Sequence, residues 1–163
     1  MEFIGNQITL RQLQRSFFDA YASMFSPMVQ QILHVPDVDQ ERLYLEERLV
    51  KVEEQQTFFY CIFDNERDIL IGAIEIRYSA EYRGQLYCWL NEQFWGEGRF
   101  NEALALALTA YFALHPHLYF ITAHVDVSNQ RSFWALRKCG FAPLGLQQGP
   151  HGMQHLMVYR RKD

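Results

Sequence analysis

The sequence predicts an α+β domain, with helices packed on a mixed central sheet. Three observations predict it. Runs rich in Phe, Tyr, Ile and Val recur at 57–64, 69–77, 85–90 and 118–127 and read as strands. Two stretches, 39–56 and 101–114, carry helical patterning. A turn at 149–152 separates two closing strands near 142–148 and 153–160.

In chain order, residues 7–13 alternate apolar Ile8, Leu10 and Leu13 with polar neighbours, as a short first strand does. Residues 15–25 form a first helix, bounded by Pro27. Pro36 and Asp39 mark a new start, and Leu43, Leu45, Leu49 and Val52 then recur among charges in a second helix. Thr57–Asp64 and Ile69–Arg77 flank the turn 65–68 and predict an antiparallel hairpin. Gln85–Leu90 is the next strand and runs into a loop holding Gly96 and Gly98. Asn101–Leu114 is rich in Ala and Leu, strong helix formers, and Pro116 ends it. Leu118–Val127 is a long buried strand. Ser128 or Asn129 caps a helix reaching Cys139, and Gly140 stands where a terminating glycine belongs.

The 163 residues suit one domain, 1–163, able to bury a core without staples. With 49% hydrophobic and 21% charged residues, a packed globule is expected. Net charge is −4, and the longest basic run is Arg160-Arg161-Lys162, which argues against nucleic acid as the main partner. Cys61, Cys88 and Cys139 form no CxxC pair, which fits free thiols in a reducing compartment. Glu2, Asn6 and Arg11 break any early apolar run, and no apolar stretch reaches membrane-spanning length. The expectation is a soluble, cytoplasmic chain without membrane association. The six histidines show no ligand spacing with each other or with cysteine, so no metal site is expected.

Two segments carry chemistry. Gln93-Phe94-Trp95-Gly96-Glu97-Gly98 lies between a predicted strand and a predicted helix. Glycines there let backbone wrap closely around a ligand, and the N–H groups of loop and helix start suit an anion such as phosphate. A pair of turn glycines is the plainer reading. The spacing matches neither the dinucleotide-binding nor the phosphate-loop glycine pattern. Asn129 to Phe141 reads locally as a capped helix with a glycine stop.

Together and in this order, these segments resemble the GNAT acetyltransferase superfamily. Its CoA site reads QxxGxG after a strand, then NxxS leading to KxGF, here Gln93–Gly98, Asn129–Ser132 and Lys138–Phe141. The branch typified by the ribosomal-protein N-terminal acetyltransferases RimJ and RimL is closer still. Its features appear as Ile8-Thr9-Leu10-Arg11, Ile71-Gly72-Ala73-Ile74, Trp89-Leu90, Trp95-Gly96-Glu97-Gly98 and Glu102-Ala103. The resemblance spans nearly the whole chain. It implies a mostly antiparallel sheet of about seven strands and about four helices, with strands splayed at the CoA site.

The same resemblance implies acetyl-CoA as acyl donor and a primary amine as acceptor, attacked directly without metal. The pantetheine arm would lie between the strands ending at Leu90 and Val127, held by backbone near Leu90 and Asn91. N–H groups of the loop after Trp95, around Gly96, Glu97, Gly98, Arg99 and Phe100, would hold the pyrophosphate. Asn129 and Ser132 would form the other wall. Arg99, Arg131, Arg137 and Lys138 are the nearby cations for the phosphates. Glu97 departs from the Lys or Arg common in this branch, and its carboxylate disfavours an anion.

For catalysis, the resemblance assigns the oxyanion donor to a backbone N–H near Leu90. The family's tyrosine acid is replaced by Leu136, with Ser132 the suggested substitute. Its glutamate base is replaced by Gln85. Glu75 on the adjacent strand is the replacement candidate, or else a surface residue paired with Arg77, and Glu81 is a looser option. Tyr87 replaces a common glycine and Cys88 a common tyrosine. Segments 26–38 and 78–84 should shape the acceptor pocket, with Tyr78 and Tyr82 able to stack on a cation and His151 at its border. A non-catalytic CoA-binding module and a larger acyl donor such as succinyl- or propionyl-CoA are the alternatives. Similar proteins are commonly dimers.

Overall fold

The computed structural model describes residues 1–80 and 83–162. Glu81 and Tyr82, named above as base and stacking candidates, lie outside the described residues. Eight strands are present: β1 (Glu2–Ile4), β2 (Ile8–Gln12), β3 (Thr57–Asp64), β4 (Ile69–Ala80), β5 (Arg83–Leu90), β6 (Phe120–Asp126), β7 (Ala142–Gly149) and β8 (Gly152–Arg160). Five α-helices accompany them: α1 (Phe18–Met24), α2 (Pro27–Leu33), α3 (Val38–Glu53), α4 (Arg99–Leu114) and α5 (Gln130–Lys138).

The strands form one sheet in the order β1-β2-β3-β4-β5-β6-β8-β7. Every neighbouring pair is antiparallel except β5 and β6. That parallel pairing is short: it joins Arg83 to Phe120, Gly84 to Ile121 and Gln85 to Thr122, and stops. β5 continues along β4 as far as Leu90 opposite Gly72, and β6 continues along β8 as far as Asp126 opposite Gln154. The two central strands therefore part beyond Gln85 and leave a gap in the sheet.

β3 is buried on both faces, which explains its uninterrupted apolar sequence. Its alternate residues separate two cores. Tyr60 and Ile62, with Ile74 and Ile76 of β4, join a core that includes Leu104, Leu108 and Tyr111 of α4. Phe59 and Cys61, with Ala73 and Trp89, join a core that includes Tyr21 of α1 and Leu45 and Leu49 of α3. Each large apolar side chain sealed in these layers contributes roughly 1.5–3 kcal/mol.

The structure adds two elements to the seven strands and four helices expected. β1 is three residues long, too short to leave a pattern. α2 opens at Pro27, the residue taken as a stop. Proline suits the first helical position because its missing N–H has no partner there, and the Ser26 hydroxyl caps the helix by accepting from the Val29 N–H (3.2 Å). Residues 15–25 divide into a single 3-10 turn, Arg15–Phe17, followed by α1. α3 is capped by Asp37, not Asp39: the Asp37 carboxylate accepts from the Gln40 N–H (2.8 Å). α4 begins at Arg99, two residues before the expected start. Asn129, not Ser128, caps α5. That helix closes with Phe141 N–H on the Leu136 carbonyl and Gly140 N–H on the Arg137 carbonyl (3.0 Å each), around Gly140 at φ +102°. No helix among the described residues is long and apolar enough to cross a membrane.

Candidate active site

The gap between β5 and β6 is edged by unused backbone. The Asn91 N–H donates to the Ile71 carbonyl (2.8 Å). Alternation along an antiparallel strand then turns the N–H and carbonyl of Leu90 away from β4 and toward the gap. The Leu90 carbonyl accepts from the Trp95 indole N–H (2.8 Å). Gly72 lies directly opposite Leu90, and a Cβ on it would meet the Trp89 carbonyl oxygen at 2.3 Å. The Ile-Gly-Ala-Ile stretch thus keeps β4 tight against the end of β5, where Leu90 must be held.

Asn91 is anchored by the protein. Its carbonyl accepts from Phe94 N–H (2.9 Å), its side-chain oxygen accepts from Gln93 N–H (3.0 Å), and its amide donates to the Met24 carbonyl (2.9 Å). These bonds tie the loop to the end of α1.

The loop itself turns at Gly96 (φ +86°) and Gly98 (φ +85°), conformations that side-chain-bearing residues rarely adopt. Gly98 is the N-cap of α4, and the helix ladder opens with Glu102 N–H on the Gly98 carbonyl (3.1 Å). The N–H groups at the helix start before Glu102, including those of Arg99 and Phe100, therefore have no intrahelical acceptor. The Glu102 carboxylate does not fill this space. It accepts instead from the N–H groups of Asn6 (2.6 Å), Gln7 (2.8 Å) and Ile8 (3.2 Å), so the first turn of α4 keeps its positive end open.

Of the four expected cations, the structure brings two to this cradle. Arg131 lies over the Trp95 ring, 4.3 Å from its centroid, with a guanidinium nitrogen 3.9 Å from where a Gly96 Cβ would sit. Lys138 lines the same cleft. Arg99 turns inward: it is buried and paired with the buried Asp64 carboxylate (2.9 Å), so its side chain is not a phosphate contact. Glu97 accepts from the Arg99 guanidinium (2.9 Å), which draws its charge toward a cation. Arg137 is exposed outside the clefts lined by its neighbours.

Across the gap, the Asn129 side-chain oxygen accepts from Ser132 N–H (3.2 Å) and its amide donates to the Ser132 hydroxyl (3.0 Å). The Ser132 proton is thereby left to point elsewhere. Asn129 and Ser132 line two clefts at once. One, of about 360 Å³, runs past Trp95, Gly96, Gly98, Arg131 and Lys138. The other, of about 520 Å³, is lined from α2, α3, β4 and β6. Cys88, Trp89, Phe100, Asn129 and Ser132 belong to both, so the clefts meet in the gap.

The larger cleft contains the expected base, and its geometry removes that role. Glu75 is 2% exposed. One oxygen accepts from the Tyr44 hydroxyl and the Arg77 Nε (3.2 Å), the other from the Arg48 Nε (2.7 Å) and the Thr57 hydroxyl (2.7 Å). Four donors, two of them cationic, fill its acceptor sites. Gln85 contacts His124 across the strands (3.3 Å), and burial with the nearby Arg83 pushes the His124 imidazole below its ordinary value. Segment 26–38 does shape this cleft, through Ile32, Leu33, His34 and Val35, whereas Tyr78 is exposed and outside it. His151 lines it, with its ring stacked 3.9 Å from His34, which contacts Asp126 (2.6 Å). Tyr87 lines it beneath the Arg77 guanidinium (4.2 Å).

Sequence reading missed Glu41. It lies four residues before Leu45, on the buried stripe of α3 that continues through Leu49 and Val52. A carboxylate on an apolar stripe was the available signal. No group of His, Cys, Asp and Glu among the described residues is arranged to hold a metal ion.

Solved structures share this fold. A ribosomal-protein-S5-alanine acetyltransferase from Vibrio fischeri superposes with a TM-score of 0.82 at 16% identity, over 100% of this chain and 98% of that one. The microcin C7 self-immunity acetyltransferase MccE, solved with acetyl-CoA and AMP, gives 0.79 at 14% identity over 96% and 94%. The ribosomal alpha-N-protein acetyltransferase RimL, solved with coenzyme A, gives 0.78 at 18% over 97% and 95%. No curated relative matches the sequence. Residues 7–142 match the family described as acetyltransferase (GNAT) domain, and the chain belongs to that family.

Proposed function

We propose that the chain transfers an acetyl group from acetyl-CoA to a primary amine by direct attack of the amine on the thioester carbonyl. The observation that carries this reading is the meeting of two clefts in the β5–β6 gap, one edged by an anion cradle and the other by polar side chains. The residues present fit CoA. With a net charge of −4, the chain has no overall attraction for a polyanion, so local donors must supply it. The open N–H groups at the start of α4, Arg131 and Lys138 are such donors. The two neighbours solved with acetyl-CoA or CoA carry the same architecture.

In this reading the Leu90 N–H, aimed into the gap, stabilises the oxyanion. Ser132, whose hydroxyl oxygen already accepts from Asn129, directs its own proton toward the leaving sulfur. The acceptor enters through the 520 Å³ cleft, as a small-molecule amine or a protein N-terminus. Thiol release from acetyl-CoA, measured with and without a panel of an Ala-initiated peptide, a polyamine, amino acids and an aminosugar, tests the proposal. Tight CoA binding with no amine-dependent release across the panel would leave a CoA-binding module instead.

A further inference from the structure

We propose that Glu41 is the base that removes the proton from the acceptor ammonium; this assignment rests on the transferase reading above. Glu41 lines the acceptor cleft from α3 and is 7% exposed. One of its oxygens accepts from the Tyr21 hydroxyl (2.6 Å). The Tyr21 hydroxyl in turn accepts from the Trp89 indole N–H (3.0 Å). The chain of donors runs Trp89 to Tyr21 to Glu41, which orients the carboxylate from the strand that edges the gap.

The second carboxylate oxygen has no protein donor. Among the described residues, only the Tyr111 hydroxyl is sealed away from solvent without a hydrogen-bond partner. The unpaired Glu41 oxygen is therefore not sealed, on a residue that lines the cleft. Glu75 provides the contrast: its acceptor sites are filled by four donors, so no site remains for a proton. Burial pushes the Glu41 carboxyl up to about 7, with the Tyr21 hydrogen bond acting the other way and Glu75 adding to the rise. A base poised near the working pH combines a useful free fraction with a useful driving force.

Other ionisable groups face the same cleft. Tyr44 from α3 and Glu75 and Arg77 from β4 form one bonded cluster with Arg48. His34 at the end of α2, Asp126 from β6 and His151 from the β7–β8 turn form a second. Tyr87 and Cys88 come from β5 and His124 from β6. Burial holds the Cys88 thiol protonated at neutral pH, pushed up to about 12. His124, pushed below its ordinary value, is the competing base.

The step balances as follows. The ammonium gives one proton to the open Glu41 oxygen, and the freed nitrogen pair forms the N–C bond to the carbonyl carbon. The C–S bond breaks, the sulfur takes the Ser132 hydroxyl proton, the second nitrogen proton replaces it on Ser132, and Glu41 returns its proton to solvent. The products are the amide, CoA thiol and one released proton.

The test is the pH dependence of kcat/KM, with the most active amine of the panel, for wild type, Glu41→Gln, Tyr21→Phe and His124→Gln, alongside CoA affinity by calorimetry. Wild type should show an ascending limb centred near neutral pH. Glu41→Gln should lose that limb and about 100-fold or more in kcat/KM, with CoA affinity within about twofold. Tyr21→Phe removes the donor that favours the carboxylate, so its limb should move to higher pH, an effect that loss of packing alone does not produce. A limb that survives Glu41→Gln and disappears in His124→Gln overturns the assignment and leaves the transferase reading standing. Wild type inert toward the whole panel overturns both.

Discussion

Replacing Glu75 with glutamine separates a structural carboxylate from a chemical one. Glutamine offers one acceptor oxygen and one donor amide where the native residue offers two acceptor oxygens. Whichever way the amide is placed, it confronts either Tyr44 and Arg77 or Arg48 and Thr57 with donor against donor. Arg48 is itself buried, so its guanidinium loses its nearest countercharge and keeps only the exposed Glu47 carboxylate at 3.7 Å. Breaking one partner of a buried ion pair costs about 3–5 kcal/mol. For a chain of this size each kcal/mol lowers Tm by about 2–4 °C, so Glu75→Gln should lower it by roughly 6–20 °C. Thermal unfolding followed by far-UV circular dichroism measures this, with kcat/KM against pH recorded well below the transition. The expected result is a large loss of stability with the ascending limb retained and moved to somewhat lower pH, because Glu75 no longer adds to the rise at Glu41. A Tm lowered by less than about 2 °C, together with loss of the ascending limb, would refute the structural role and restore Glu75 as the base.

Gly96→Val should keep the fold but weaken CoA at least about tenfold by calorimetry, because a β-branched residue at φ +86° must rearrange the cradle. Arg131→Ala should weaken CoA several-fold at low ionic strength and much less at high salt, as expected for an exposed cation; an equal loss in both would point to the packing on Trp95 instead. Folding stability should fall as pH rises across the window from 4.5 to about 7. The buried Glu41 carboxyl keeps its proton to higher pH than the unfolded one, so the folded state binds more protons there, and its contribution is complete below that window and gone above it. The effect is on the order of 3 kcal/mol, and chemical denaturation of Glu41→Gln should show the decline flattened.

Much of the architecture was legible in the chain. β3 announced itself because a strand buried on both faces has no polar partner to alternate with. The loop at Gly96–Gly98 was legible because backbone at positive φ selects glycine by itself, and Asn129 because a cap needs an acceptor one turn from the N–H it serves. Where reading failed, one local signal had two meanings. Pro27 ends helices and also begins them, and the Ser26 cap that decided for α2 is a tertiary fact as well, since its hydroxyl donates to Glu92 (2.6 Å).

Charged residues exposed the deeper limit. Arg99, Arg131 and Lys138 are all cations in the two segments expected to meet at the cradle. Only folding sends Arg99 inward to Asp64 and leaves the other two at the cradle. Glu75 and Glu41 are both carboxylates of ordinary appearance. One ends among four donors and the other with a single tyrosine and an open oxygen. Local sequence determined where the strands, caps and glycine turn lie, because propensity, capping and backbone sterics act between near neighbours. Which carboxylate is locked and which is available was decided by the tertiary structure, because the donors that fill or spare an oxygen arrive from α1, α3, β3 and β4, far apart in the chain.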